Sequence, residues 1–298
     1  MSEKRKITKG VVHEHVCLKA FNSWHIGGKA ERLYWPIDLA DLQRFLTTLP
    51  SDEPITWLGL GSNVLIRDGG IKGTVIITQG ALSALTMLPG ARLYAQAGVS
   101  CAQAARFAAR HDAVNGEFLA GIPGTMGGAL LMNAGAFGGE TWPVVVQVET
   151  MNRQGEIEQR LPESFEIAYR HTAGLAQDEW FVSATLQLAE GDGKASLAKI
   201  KNLLAKRAET QPTGEPSCGS VFQNPPGDFA ARLIESLALK GHRVGGIEVS
   251  PKHANFMINC ADASATDTEQ LIQHVQHRVR EAYGITLQPE VKFVGEPV

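Results

Sequence analysis

The chain has 298 residues, with 28 Lys and Arg against 31 Asp and Glu, a net charge of −3 with neutral His. At about 150 residues per domain this length predicts two or three domains, enough to bury a core without disulfides or metal. The charge balance gives no electrostatic case for nucleic acid or an anionic membrane as partner, while leaving room for a local basic pocket.

In chain order, MSEKRKITKG is too polar for a signal peptide. Residues 38–49 read as a helix with Asp38 as N-cap. PITWL (54–58), VLIRD (64–68) and GTVIIT (73–78) read as strands, with Gly59-Leu60-Gly61-Ser62-Asn63 and Gly69-Gly70 between them. RLYAQAG (92–98) is a strand, and Ser100 caps an alanine-rich helix over 101–111. Residues 143–152 and IEQRL form a hairpin around Arg153–Glu156; WFVSATLQLA (180–189) is a strand and 194–211 an amphipathic helix. The Pro/Gly-rich segment 211–228 is a boundary. After it come a helix over 228–239, strands in KGHRVGGIEVS and NFMIN, a helix over 267–283 and the strand PEVKFV (289–294). This mixed order predicts α+β rather than one doubly wound sheet.

The uncharged run Phe118–Gly139 has the length of a membrane span. Its seven Gly and the break at Ile122-Pro123-Gly124 argue instead for tightly packed soluble backbone. Cys17, Cys101, Cys218 and Cys260 form no C-x-x-C pair, and the histidines show no metal-ligand spacing. Reduced thiols, no metal and a cytoplasmic location follow as expectations.

Glycine is the unusual residue, 31 of 298, against a usual level of about 7%. Gly59-x-Gly61 lacks the third glycine and the following helix of a Rossmann fingerprint, and no Walker A pattern exists. Two glycines beside Ser62 and Asn63 still let backbone amides approach an anion, although an ordinary turn uses the same residues. In Gly121-Ile122-Pro123-Gly124-Thr125-Met126-Gly127-Gly128-Ala129, Thr125 can cap a short helix. Gly127 and Gly128 in its first turn imply a flat body against that face, either backbone or a planar cofactor.

Six pieces, in order, carry a resemblance. They are Asn22-x-Trp24-x-Ile26-Gly27-Gly28-Lys29-Ala30, GLGSNVLI, GIPGTMGGALLMNAGAFGGE, Tyr169-Arg170, Cys218-Gly219-Ser220-Val221-Phe222-Gln223-Asn224-Pro225 and Pro289-Glu290-Val291. With them the chain resembles, over nearly its whole length, the family of UDP-N-acetylenolpyruvoylglucosamine reductases, and within it the shorter second class. The resemblance implies a two-subdomain FAD-binding module of the vanillyl-alcohol-oxidase (PCMH) type plus a C-terminal α+β substrate-binding domain. The expected units are 1–78, 79–210 and 211–290, with 291–298 returning to the first.

It further implies non-covalent FAD, NADPH as hydride donor, and a UDP-sugar enolpyruvyl ether as substrate, reduced in peptidoglycan precursor synthesis. The alternative is another FAD-dependent sugar or alcohol oxidase on the same module. By the family match, Ser220 is the proton donor, Glu290 the catalytic glutamate and Arg170 the arginine that pairs with the substrate carboxylate. Expected at the cofactor are Gly59, Leu60, Gly61, Ser62, Asn63, Gly121, Ile122, Pro123, Gly124, Thr125, Gly127, Gly128, Asn133 and Gly135. Expected at the substrate are Tyr169, Asn224, His253 and Asn255; Arg207, near the end of its helix, could meet a diphosphate, but a helix-surface position is its default reading. No protein partner is legible.

Overall fold

The computed structural model describes residues 3–298. The first part of the chain forms β1 (Val12–Cys17), β2 (Lys29–Tyr34), α1 (Leu39–Leu46), β3 (Ile55–Leu58), β4 (Val64–Ile66) and β5 (Ile71–Ile77). Asp38 caps α1 by accepting from the Asp41 amide at 2.8 Å, which leaves Leu42, Phe45 and Leu46 on the buried face. The helix stops sooner than its apolar pattern predicts, because the Thr47 and Thr48 hydroxyls bond back to the Arg44 and Phe45 carbonyls. The sheet runs β1-β2-β5-β3, antiparallel at its first pair and parallel at the other two.

The middle of the chain forms β6 (Leu85–Leu88), β7 (Arg92–Gln96), α2 (Cys101–Arg110), β8 (Ala113–Val114), α3 (Met126–Leu131), β9 (Gly135–Ala136), β10 (Gly139–Glu140), β11 (Val145–Asn152), β12 (Ile157–Arg160), β13 (Glu166–Ala168), β14 (His171–Ala173), β15 (Glu179–Gln187), β16 (Ala189–Glu190) and α4 (Gly193–Thr210). Its main sheet is antiparallel, in the order β12-β11-β15-β7-β6. One face packs on the buried alanines of α2 and on α3. The other presents Ala97, Met151 and Val182 to α1, so the two sheets share a core.

The last part forms α5 (Ala230–Ser236), β17 (Arg243–Val244), β18 (Ile247–Val249), β19 (Met257–Asn259), α6 (Ala265–Tyr283) and β20 (Lys292–Val294). Several connections tie this unit to the first. Trp24 is fully buried in its core and donates its indole N–H to the Met257 carbonyl at 2.8 Å. β20 lies parallel beside β4, pairing Lys292 with Val64. The Asp68 carboxylate also accepts the Ala265 and Thr266 amides and the Thr266 hydroxyl, each at 2.9 Å, at the start of α6. Arg67 beside it pairs with Glu269 at 2.8 Å. All four cysteines are free, with only Cys260 exposed. Among the described residues, no helix is long and apolar enough to cross a membrane.

Candidate active site

The three units meet at a cavity of about 400 Å³, within the usual range for small-molecule sites. The loop Gly59–Asn63 leaves β3 and forms one wall; Gly121–Thr125, leading into α3, forms the facing wall. The loops touch: a Cβ on Gly59 would collide with the Thr125 hydroxyl, and one on Gly124 would reach Ser62 Oγ at 3.5 Å. Gly61 has φ +68°, and a Cβ there would lie 2.5 Å from the Phe21 carbonyl, so this bend requires glycine. Among the described residues, the amides of Leu60, Gly61, Ser62 and Asn63 donate to no protein acceptor. Four adjacent unpaired donors in a concave wall are suited to an anion.

Thr125 is the N-cap of α3 but makes no side-chain cap bond; its hydroxyl packs on Gly59 instead. The two helix glycines divide their work. A Cβ on Gly127 would press on Ala97 Cβ at 2.9 Å, so this glycine serves packing. A Cβ on Gly128 would find only Thr125 Oγ1, at 3.9 Å, and this residue lines the cavity. A bare glycine face beside unpaired amides fits a flat ring system carried on a diphosphate, and thus fits FAD.

Arg170, Ser220 and Glu290 line the same cavity. Arg170 is in the turn between β13 and β14, with φ +56°. That left-handed conformation costs a non-glycine residue about 1 kcal/mol or more. The turn aims the guanidinium at Glu290, with Nε 3.1 Å from Oε1. It also stacks on the Tyr169 ring, at 4.7 Å from the centroid. Glu290 is fixed from two sides: its amide donates to the Val221 carbonyl at 2.7 Å, and its carbonyl accepts from Asn63 Nδ2 at 3.2 Å. Residues 63, 170, 221 and 290 thereby converge from four separate segments. Burial lifts the Glu290 carboxyl above the ordinary carboxylate range, against the opposing pull of Arg170 and Lys292. A carboxyl so placed holds its proton longer than a surface glutamate.

Most of the predicted residues line this cavity, but three do not. Gly127 faces Ala97. The Asn133 side chain is buried, bonding Glu140, the Ala168 carbonyl and the Trp142 amide; it fastens the β9–β10 and β13–β14 hairpins together. His253 lies outside the lining, accepting from the Asn255 amide at 3.3 Å, and burial and Lys240 hold its imidazole below the ordinary value. Asn255 reaches the cavity, yet its side-chain amide is engaged at both ends by the Phe222 backbone, at 3.0 and 2.8 Å. Asn224 Oδ1 accepts from the Ala230 amide at 3.1 Å, at the start of α5. Arg207 is not a surface residue: it lines the cavity and donates to the Gly121 carbonyl. Phe137, Cys218 and Lys292 also line it and escape sequence reading; only their closeness to GIPGT, Ser220 and Glu290 could have flagged them.

Residues 211–294 match the profile of the UDP-N-acetylenolpyruvoylglucosamine reductase C-terminal domain, and residues 30–159 that of an FAD binding domain. The UDP-N-acetylenolpyruvoylglucosamine reductase of Methylococcus capsulatus is 57% identical over 289 residues, covering 97% of this chain and 95% of its own. The chain belongs to the UDP-N-acetylenolpyruvoylglucosamine reductase family. The relative from Legionella pneumophila (strain Corby) with the same description is 59% identical over 94% of this chain and 91% of its own. Among solved structures, the UDP-N-acetylenolpyruvylglucosamine reductase of Thermus caldophilus superposes with a TM-score of 0.79 at 29% identity, over 96% of this chain and 98% of that one. The family's α+β fold, an FAD-binding module followed by its own C-terminal domain, accounts for the architecture above.

Proposed function

We propose that this chain reduces the enolpyruvyl ether of UDP-N-acetylglucosamine to UDP-N-acetylmuramate in peptidoglycan precursor synthesis, with FAD held non-covalently and NADPH as hydride donor. The reading rests on family membership. It is carried by one observation, the convergence of Arg170, Ser220 and Glu290 on the cavity that both glycine loops line. The loops at 59–63 and 121–125 would hold the cofactor's diphosphate, with Gly128 against its flat part. When bound, FAD supplies the hydride transfer between nicotinamide and the enolpyruvyl carbon.

The chain's own residues manage charge and protons. Arg170 holds the substrate carboxylate and stabilises the negative charge that develops there. Ser220 Oγ delivers a proton to the α-carbon, which is basic enough at that stage to take it from a hydroxyl. Glu290, proton-retaining and fixed beside Arg170, acts on the same enolpyruvyl end. Units 1–78, 79–210 and 211–290, with 291–298 returning to the first, are the domains we assign; the β4–β20 pair supports the return. A cytoplasmic location belongs to the same reading, and the four free cysteines are compatible with it.

The test is Ser220→Ala under anaerobic conditions, followed by the flavin absorbance. Bleaching by NADPH should be near normal. Reoxidation by the enolpyruvyl sugar nucleotide should slow by about 10²–10⁴-fold, the usual weight of a positioned acid. Unchanged reoxidation would remove Ser220 as the donor.

A further inference from the structure

The hairpin β13–β14, which carries Arg170, has no core of its own. It pairs only three residues on each side, and Glu166, Ile167, Ala168, Tyr169 and His171 are exposed. Two short strands alone are marginal in water. The turn also holds Arg170 left-handed, a conformation that persists only where the surroundings enforce it. The guanidinium's own contacts are not enough. Nε is at a firm distance from Glu290, but the two terminal nitrogens stand 3.5 Å from the Asn133 and Gly135 carbonyls, at the limit of a hydrogen bond. The end of α3 supplies the restraint. The Leu130 carbonyl accepts Thr172 Oγ1 of β14 at 2.8 Å and the Trp142 indole N–H at 2.9 Å. Three residues on, Asn133 Nδ2 donates at 3.2 Å to the carbonyl of Ala168, the last residue of β13. Among the described residues no other side chain bonds the backbone of 166–171. Asn133 follows the helix cap at φ +39°, a place that glycine would fill as well. Backbone shape therefore does not explain a side chain that is 2% exposed and bonded at three points. The start of the same helix adjoins the Gly121–Thr125 wall, and α3 has six residues, a rod of about 9 Å. One short helix thus carries the cofactor wall at its start and the arginine turn at its end.

We infer that Asn133, with Thr172, is a positioning residue for the reduction: the pair fixes the Arg170 turn to the end of α3, so that the guanidinium meets the substrate carboxylate at a set place relative to the cofactor wall. This deepens the proposed function and rests on it. Failure of that function would show in the unaltered holoenzyme, as no reoxidation by the enolpyruvyl sugar nucleotide, or in Arg170→Met, as unchanged reoxidation. Failure of the present inference would show only at Asn133 and Thr172.

The experiment follows flavin absorbance of anaerobic holoenzyme. Oxidised enzyme is titrated with the enolpyruvyl sugar nucleotide and with UDP-N-acetylglucosamine, which lacks the carboxylate; reoxidation of NADPH-reduced enzyme is then timed. Asn133→Gly suits the backbone and removes only the side chain. It should bind the enolpyruvyl ligand about tenfold more weakly and slow reoxidation about 10²-fold, the cost of a misplaced group. UDP-N-acetylglucosamine affinity and bleaching by NADPH should stay within about twofold of the unaltered protein, since neither uses the carboxylate contact. Thr172→Val, which keeps the shape and removes one hydroxyl, should show the same pattern more weakly. In an Arg170→Met background, Asn133→Gly should add less than about twofold, because it acts through Arg170. Unchanged reoxidation in Asn133→Gly would overturn the inference. So would an equal loss for both ligands, which would mean a site loosened as a whole, or a full additional loss in the Arg170→Met background. If Asn133→Gly gives no folded holoenzyme, Thr172→Val decides: selective loss of the enolpyruvyl ligand upholds the inference, and equal or no loss overturns it.

Discussion

Asp68 offers a quantitative test of how the third unit is held on the first. Its carboxylate accepts three bonds of 2.9 Å from Ala265 and Thr266, at the end of α6 where amides lack intrahelical partners. Ala265 is 1% exposed, so Asp68→Ala leaves its amide without water or partner, a penalty of about 1–3 kcal/mol. The exposed Thr266 groups recover bonds to water and add little. Loss of the favourable charge at the helix N-terminus adds about 0.3–1 kcal/mol. The expected total is about 2 kcal/mol for Asp68→Ala. It should be under about 1 kcal/mol for Asp68→Asn, which keeps one accepting oxygen. Urea unfolding of holoenzyme, followed by flavin and tryptophan fluorescence, reads both changes. A loss below about 0.5 kcal/mol in Asp68→Ala, or an Asn variant as weak as the Ala one, would refute this account of the clamp.

Two further outcomes are expected. Glu290→Gln should lower turnover by about 10²–10⁴-fold and change the pH profile of stability. The folded carboxyl is raised by burial, so its stabilising contribution is full below the ordinary carboxylate range and is lost as pH rises through the folded value. The variant should therefore melt like the unaltered protein near pH 4 and higher than it near pH 8; melting curves at the two pH values check this. Gly128→Ala meets no backbone and should keep or gain stability, by up to about 1 kcal/mol. Its FAD affinity, measured by fluorescence titration after flavin removal, should fall at least tenfold if this face receives the cofactor.

Much of the fold was legible because local signals agreed with tertiary ones. Asp38 and Ser100 stand before helices with correctly spaced apolar faces, and both cap as expected. Alternating β-branched residues marked β3, β5 and β15. The hairpins β9–β10 and β13–β14 were not legible, since two- and three-residue strands carry no usable period. Their positions depend on Asn133, whose side chain bonds Glu140 and Trp142 nearby and the Ala168 carbonyl 35 residues on. In the site, the glycine loops could be read because close backbone approach demands glycine. The inward turn of Arg207 could not, since it depends on a carbonyl 86 residues earlier. The double-glycine step was ambiguous for a physical reason: adjacent helical residues point to different faces, and one glycine served packing while its neighbour served the cavity.

The β4–β20 pairing also orders events during synthesis. Val64 meets its partner Lys292 only after 228 further residues have been made. Until then the strand following Gly59–Asn63 has an open edge, and Glu290 is not yet bonded to Asn63. An emerging chain can therefore complete its first sheet early, yet it cannot fix the Gly59–Asn63 loop until the third unit has folded back. With FAD held by that loop, as proposed, flavin capture is expected late in maturation. A lesion anywhere in residues 211–290 that slows their folding should first be visible as colourless, chaperone-bound or proteolysed chains, well before any effect on the chemistry of the mature enzyme.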